Sequence, residues 1–552
     1  PNFVLLLIDD GGFTDLGAYG GEARTPNIDS LAARGAMFTS YHTSPLCAPS
    51  RAMLLTGMDN HRTGLGTIPE TLPAAQQGKP GYTMSLEPGV QTIATRLKAE
   101  GYRSYMTGKW HLGHGAGELP DSHGFERSFV LDASGADNWA QKPYMPYYTS
   151  ADWFEDGKPA TLPAHFYSSE FLVDQMLAYL EADKARSEPF LAYVAFQAIH
   201  IPLQAPRQFT DHYQGVYDQG WEATRVKRWR EAQARGLIPQ GAALAPPHAQ
   251  LRQWESLSTA DRALYAKSMA VHAGMLEAMD HHIGRLIAYL KERGQFDNTI
   301  FIVTSDNGPE PSDPIAQIGF GTWMQQNGYH RELETLGEQG SLVFIGPEWA
   351  NATASPGALF KFHAAEGGLR VPLIAAGPGI AGGQRVASNS FVTDVVPTLL
   401  DYAAAQAGER DGIDGKSLRP VLSGAAERTY DADTPVGIEV GGNAALFKGD
   451  YKLTRNTLPW GDARWRLYHL ASDPGETRDL SASEPERFAA LQADYGRYQQ
   501  RMGVLPLPDS FDPFKQVARN SMKVQLLHHR WHLAFAALLL AGFWFWRRRR
   551  RR

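Results

Sequence analysis

The opening of this chain limits what it can fold into more than any other stretch. Residues 3–8, Phe-Val-Leu-Leu-Leu-Ile, form an unbroken apolar run, and Asp9-Asp10 follows at once. A half-exposed strand alternates apolar and polar residues. A run apolar on both faces belongs in the middle of a sheet covered on each side. The pattern recurs: residues 190–196 and 299–304 read as buried strands, and Asp306-Asn307 follows the latter. Helical stretches lie between them. One opens at Thr25-Pro26 and stops at Gly35, with proline near the start and glycine at the end. Residues 92–101 form another, leading into a strand at 102–107. Residues 168–185 and 258–293 are longer, the second opened by Ser258 as a cap and closed at Gly294. A strand at 371–376 follows. This βαβα order predicts an α/β fold with a mostly parallel sheet flanked by helices.

At 552 residues the chain is too long for one ordinary core. Beyond 425, short strands at 436–440, 445–447 and 451–454 in hairpin spacing, then a helix at 484–501, predict a small C-terminal α+β subdomain. The expected plan is a main α/β domain (1–425), the α+β subdomain (426–505), a linker (506–530) and a hydrophobic tail ending in arginines (531–552). Two polar, proline-bearing stretches, 69–88 and 208–247, read as insertions over the rim of a site.

Net charge is -6, and the six terminal arginines contribute +6, leaving -12 on the rest. So acidic a body excludes nucleic acid as a partner. The tail is apolar from 533 to 546, with Trp531 before it and Trp544, Trp546 and arginines at 547–552 at its other end. Aromatic girdling and a cationic end are membrane-interface features. The expectation is a membrane anchor with the arginines in the cytoplasm and the body in a bacterial periplasm or cell envelope.

The polar residues after the strands suggest chemistry. Asp9, Asp10, Asp306 and Asn307 offer three carboxylates and an amide from two strand ends, a hard all-oxygen set suited to Ca2+, ahead of Mg2+, and not to zinc. Turns and helix caps use such pairs too. The chain has one cysteine, Cys47, so no intrachain disulfide exists. Pro49 fits the first turn of a helix, which puts Cys47 at a helix N-terminus, where amide donors and the dipole favour an anion. Arg51 lies four residues on, on the same face.

Cys47-Ala48-Pro49-Ser50-Arg51, followed by an apolar run and Thr56-Gly57, resembles the signature of the type I, formylglycine-dependent sulfatases, among them bacterial arylsulfatases. Other stretches match that family in chain order. They are Asp9-Asp10, the Gly108-Lys109-Trp110-His111-Leu112-Gly113 segment, His200 before Ile201-Pro202, Asp306-Asn307, and Lys361 ahead of Glu366-Gly367-Gly368. His363 competes with Lys361. The likeness extends over about residues 1–500 and includes the turn Asp473-Pro474-Gly475-Glu476-Thr477.

The resemblance implies an alkaline-phosphatase-like fold and hydrolysis of sulfate monoesters, with aryl sulfates accepted. It implies that a formylglycine-generating or cysteine-oxidising maturation enzyme converts Cys47 to formylglycine, whose hydrate attacks sulfur. Asp9, Asp10, Asp306 and Asn307 would hold Ca2+, with modified residue 47 as a further ligand. Arg51, Lys109 and Lys361 would meet the sulfate charge, His111 would serve the diol, and His200 would protonate the leaving group. Asp306 would also take the diol proton. Two rivals stand beside this: a formylglycine-dependent phosphonate monoester or phosphodiester hydrolase, and a catalytically silent binding protein on the same fold.

Overall fold

The structure, a computed structural model, describes residues 1–406, 408 and 411–550. In chain order the strands of the body are β1 (Asn2–Ile8), β2 (Ala36–Phe38), β3 (Tyr41–His42), β4 (Arg103–Lys109), β5 (Arg127–Leu131), β6 (Trp153–Glu155), β7 (Lys158–Ala160), β8 (Phe190–Ala195), β9 (Thr299–Ser305), β10 (Leu373–Ala376), β11 (Gln384–Val386) and β12 (Ser390–Phe391). The C-terminal part adds β13 (Val436–Val440), β14 (Asn443–Lys448), β15 (Tyr451–Arg455) and β16 (Trp465–His469).

The large sheet runs β11-β2-β10-β9-β1-β8-β4-β5-β6-β7, and β9-β1-β8-β4-β5 is its parallel heart. The residues of β1 explain its central place. Val4, Leu6 and Ile8 point into one apolar core, while Phe3, Leu5 and Leu7 point into another on the opposite face. Helices Pro26–Arg34, Ser168–Ala182 and Thr259–Glu292 cover the first face. Helices Cys47–Thr56, Ile93–Ala99 and Val395–Tyr402 cover the second. A strand with no polar face is satisfied only by such a double cover. The strand expected at 371–376 forms as β10 but runs antiparallel to both its neighbours. The short strands β5, β6 and β7 toward one end of the sheet were not legible in the pattern.

Register sets up the site. Ile8 pairs with Ser305 across the parallel β1–β9 ladder, so Asp9-Asp10 and Asp306-Asn307 leave the sheet side by side. Lys109 ends β4, and Gly108 beside it pairs with Ala195 of β8. A Cβ at Gly108 would lie 1.8 Å from the Ala195 carbonyl oxygen, so only glycine lets the two strands meet there. Ligand sites in open α/β sheets form at these carboxyl ends.

Strands β13 to β16 form an antiparallel sheet with helix Pro485–Met502 packed on it. Buried ion pairs join it to the body. Glu366 lies 2.7 Å from Lys452 and 3.0 Å from His42, and Lys452 lies 2.9 Å from Glu476. Residues 506–530, expected as a linker, contain the helix Pro513–His528.

The structure gives the expected membrane span no support. The tail forms a helix, Arg530–Arg550, with Trp531, Phe535, Leu538, Phe543 and Trp546 exposed. Among the described residues no helix is long and apolar enough to cross a membrane. A span needs about 20 apolar residues, and the charged and histidine residues flanking residues 533–546 deny it that length.

Candidate active site

Cys47 is the first residue of helix Cys47–Thr56, whose every residue is buried. Ligand atoms of Asp9, Asp10, Cys47 and His200 all lie within 4.8 Å of one another. Residues from three places in the chain therefore converge where the parallel strands end.

Cations surround the carboxylates. The Lys109 amine donates to Asp9 Oδ2 at 2.6 Å. Lys361 Nζ lies 2.7 Å from Asp10 Oδ1 and 2.8 Å from Glu310 Oε2. Arg51 Nε donates to Asp306 Oδ2 at 2.8 Å, Nη2 lies 2.8 Å from the same oxygen and 3.5 Å from Asp9, and Nη1 donates to the Lys109 carbonyl at 2.9 Å. Arg51 thus turns toward the carboxylates and the end of β4, and works as a strut rather than an open anion receptor. Burial opposes charge on Arg51 and Lys361, yet the neighbouring carboxylates outweigh it and keep both protonated.

The acidic groups are under strain of the opposite sign. Burial, then repulsion from Asp9, holds the Asp306 carboxyl above its usual range. Burial also raises Asp10, against the pull of Lys361, and its acidic neighbours push it further. Four buried carboxylates (Asp9, Asp10, Asp306, Glu310) face three permanent cations. Asp9 Oδ1, Asp10 Oδ2 and Asn307 Oδ1 are buried with no hydrogen-bond partner. Unpaired buried acceptors are costly, and three oxygens left free by two adjacent strand ends are what a hard divalent cation would satisfy. The donor set therefore fits Ca2+. Asp306 is the most committed of the four, since it also accepts from the Asp10 N–H at 3.2 Å.

The two histidines face different carboxylates. His200 Nδ1 is 2.6 Å from the Ile201 carbonyl, which can only accept, so Nδ1 carries the proton and Nε2 faces Asp10 Oδ2 at 3.7 Å. Burial, then Lys109 and Lys361, depress its pKa strongly. His111 has a positive φ of 58°, and neither ring nitrogen has a hydrogen-bond partner. Burial and the charges of Lys109 and Arg51 keep it neutral. A left-handed backbone at a non-glycine residue is strained, and Asp10, at φ 69°, shares the feature.

The ambiguity between Lys361 and His363 is resolved by the backbone. Lys361 N donates to Pro309 O at 3.1 Å and Phe362 N donates to Pro45 O at 2.9 Å, which pins this loop between the Asn307 turn and the Cys47 helix. His363 bonds through Nδ1 to the Lys361 carbonyl and packs on Phe360, away from the cluster. Gly308 lets the Asn307 turn close, because a Cβ there would meet the Gly367 carbonyl at 2.0 Å.

Two carboxylates were missed in the sequence. Glu70, from the 69–88 stretch, places Oε1 3.7 Å from His111 Nε2 and receives the Tyr148 hydroxyl. Glu310, three residues after Asn307, pairs with Lys361; burial works against its ionisation and Lys361 outweighs it, holding the carboxyl low. Position within an expected rim insertion was the only available signal for Glu70. The 208–247 stretch makes its main contacts elsewhere: its helix Gly220–Ala234 packs on helix Gly346–Thr353, and Arg228 pairs with Asp15 and Glu22. As for Cys47 itself, burial pushes its thiol far above the range where a thiolate forms, so the unmodified side chain is a poor nucleophile.

Comparison with known proteins agrees with this geometry. A family model described as Sulfatase matches residues 1–405. The chain is 35% identical to an arylsulfatase of Klebsiella aerogenes over 438 residues, 76% of this chain and 89% of that one. It is 34% identical to an uncharacterized sulfatase of Schizosaccharomyces pombe over 533 residues, 93% of this chain and 95% of that one. Among solved structures, one in complex with its substrate D-glucosamine-2-N,6-O-disulfate aligns at a TM-score of 0.62 and 21% identity, covering 93% and 100% of the two chains. A phosphonate monoester hydrolase from Silicibacter pomeroyi aligns at 0.56 and 20% identity, covering 91% and 95%, so the fold alone does not separate the two chemistries.

Proposed function

This chain belongs to the sulfatase family of ester hydrolases, and on that premise we propose that it cleaves sulfate monoesters, aryl sulfates among them, at residue 47 converted to formylglycine. Ca2+ would sit among Asp9, Asp10, Asp306 and Asn307. The observation that carries the proposal is the meeting of Cys47 with Asp9, Asp10 and His200 inside a ring of buried cations. The charge set has no gap of the kind a silent binding protein would show. We assign the reaction to residues 1–425, with 426–505 as a supporting subdomain.

The divalent ion, when bound, supplies Lewis-acid polarisation of a sulfate oxygen. Formylglycine, as its hydrate, supplies the attacking hydroxyl and the means of expelling sulfate afterwards. The chain's own side chains do the remaining work. Lys109 and Lys361 put positive charge where the transition state spreads negative charge. Arg51 holds the Asp306 and Asp9 carboxylates in place. His200 keeps its Nδ1 proton on the Ile201 carbonyl and turns Nε2 toward Asp10, where it would hold the proton for the departing oxygen once a substrate anion offsets the charge of Lys109 and Lys361. His111, neutral and with both nitrogens free, accepts a proton on the other side, and Glu70 steadies the imidazolium that results.

Paired kinetics test this. The full-length protein, matured and supplied with Ca2+, should hydrolyse 4-nitrophenyl sulfate with a higher kcat/KM than a 4-nitrophenyl phosphonate monoester, and chelation should abolish the activity. A higher kcat/KM on the phosphonate would reassign the chemistry.

A further inference from the structure

The helix Pro513–His528 touches three separate walls of the site. Asn520 Nδ2 donates to the Glu70 carbonyl at 2.9 Å and to the Leu72 carbonyl at 3.1 Å. Glu70 lies in the short turn Pro69–Thr71, which brings its carboxylate to His111, and Leu72 caps that turn. One helical turn further on, Gln525 Nε2 donates to the Pro146 carbonyl at 2.7 Å. Pro146 lies between Tyr144, whose ring meets that of His200 at 5.1 Å, and Tyr148, which donates to Glu70. At the helix start, the Phe514 ring lies 4.8 Å from that of Phe362, the neighbour of Lys361.

The helix is itself anchored. Asp512 accepts from the Phe514 and Lys515 amides, and Pro513 occupies the first turn. Asp512, Pro513 and Ser521 are buried against the body. Glu70 and Leu72 offer carbonyls that a 3-10 turn of three residues leaves largely unpaired. A single amide forking to both holds the turn against rotation, and with it the carboxylate that faces His111.

We propose that helix Pro513–His528 is a brace for the active site, with Asn520 and Phe514 as positioning residues. Asn520 sets the Glu70 turn, and Phe514 backs the loop that carries Lys361. The proposal rests on the sulfatase mechanism above for its kinetic consequence, but not for its structural one. Small displacements at a reacting centre are expensive: misplacing a catalytic group by about 1 Å can cost on the order of a hundredfold in rate. A loosened Glu70 turn should therefore be visible in kcat before it is visible in folding.

The test uses the full-length, Ca2+-loaded protein with Asn520→Ala, Phe514→Ala and Phe514→Leu, and with Lys523→Ala on the exposed side of the same helix as the control. Each is measured for kcat and KM on 4-nitrophenyl sulfate, for Tm, and for amide hydrogen exchange. Asn520→Ala should lower kcat about tenfold with KM within about twofold, the scale of a partial misplacement, and should speed exchange at 68–72 but not at 358–364. Phe514→Ala should do the reverse in exchange, Phe514→Leu should restore most of the rate, and Lys523→Ala should match the parent. Unchanged exchange at 68–72 in Asn520→Ala would overturn the brace. So would a fall in kcat matched by a general loss of protection and of Tm, which marks a role in folding alone. If the parent protein turns over no sulfate ester, the mechanism fails, while the exchange data still decide the brace.

Discussion

His61 offers a sharp test of the electrostatics outside the active site. Its Nδ1 lies 3.0 Å from Asp59 Oδ1 and its Nε2 2.8 Å from Glu439 Oε2, and the side chain is fully buried. Tyr498 of the C-terminal helix donates to the other oxygen of Asp59 at 2.7 Å. The ring thus joins the body to β13 and to helix Pro485–Met502. Burial alone would depress the imidazolium, but hydrogen bonds and charge from Asp59 and Glu439 outweigh it and lift the pKa to about 9. In an unfolded chain the group titrates near about 6.5. Because the folded value is the higher one, the stabilisation is fully present below about pH 6.5 and is lost as pH rises through about 9. The difference is worth about 3 kcal/mol. His61→Gln removes the charge and leaves Asp59 and Glu439 buried without it, which should cost about 3–5 kcal/mol near pH 6. Urea unfolding followed by tryptophan fluorescence, at about pH 6 and about pH 9.5 and at constant salt, should show the gap between parent and variant shrinking by about 3 kcal/mol. A gap of equal size at both pH values would refute the bridged imidazolium.

Cys47→Ala should abolish sulfate ester turnover while leaving the far-UV spectrum and Tm near the parent's, and measurable multiple turnover would contradict a nucleophile at this position. Cys47→Ser lacks the second hydroxyl of the hydrate, so it should stall with sulfate attached, visible by intact mass after incubation with substrate. Ca2+ should raise the Tm of the parent, in line with mass-action stabilisation, and Asp10→Ala should erase that increase; a variant that still responds fully would remove Asp10 from the ligand set. Glu366→Gln removes one of the two carboxylates paired with buried Lys452, and the one paired with His42, and should cost about 3–5 kcal/mol. In the parent, Lys452 and His42 hold the Glu366 carboxyl low against burial, so its contribution is present above about pH 4.5 and fades as pH falls below that. Denaturation near neutral pH reads the loss, and a change under about 1 kcal/mol would dismiss the network as a stabilising one.

Much of the site could be read from residue order because its parts sit at strand ends, and strand ends are visible in the hydrophobic pattern. Asp9-Asp10 and Asp306-Asn307 each follow an apolar run, and Cys47 precedes a proline that fits a helix start, whereas Lys109 was marked only by the family resemblance. Glu70 and Glu310 follow no such run, and nothing local distinguishes them from surface acids. Arg51 was placed on the correct helix, but its partners, Asp306 and the Lys109 carbonyl, are 255 and 58 residues away. The tail's aromatic girdle and flanking arginines suggested a span, but its apolar stretch is too short for one.

Local periodicity and capping, which depend on neighbours a few positions apart, are enough to name the central strands and longer helices of this chain, and the family signature names the chemistry at their ends. Which of those ends adjoin depends on strand order and register. Here the pairing of Ile8 with Ser305 lays two acidic turns side by side, and the pinned Lys361 loop closes over them. The charge balance of the pocket, the strut made by Arg51, the bridge at His61 and the bracing of Glu70 by Asn520 all arise at that level, because each joins groups that only the closed fold brings within bonding distance.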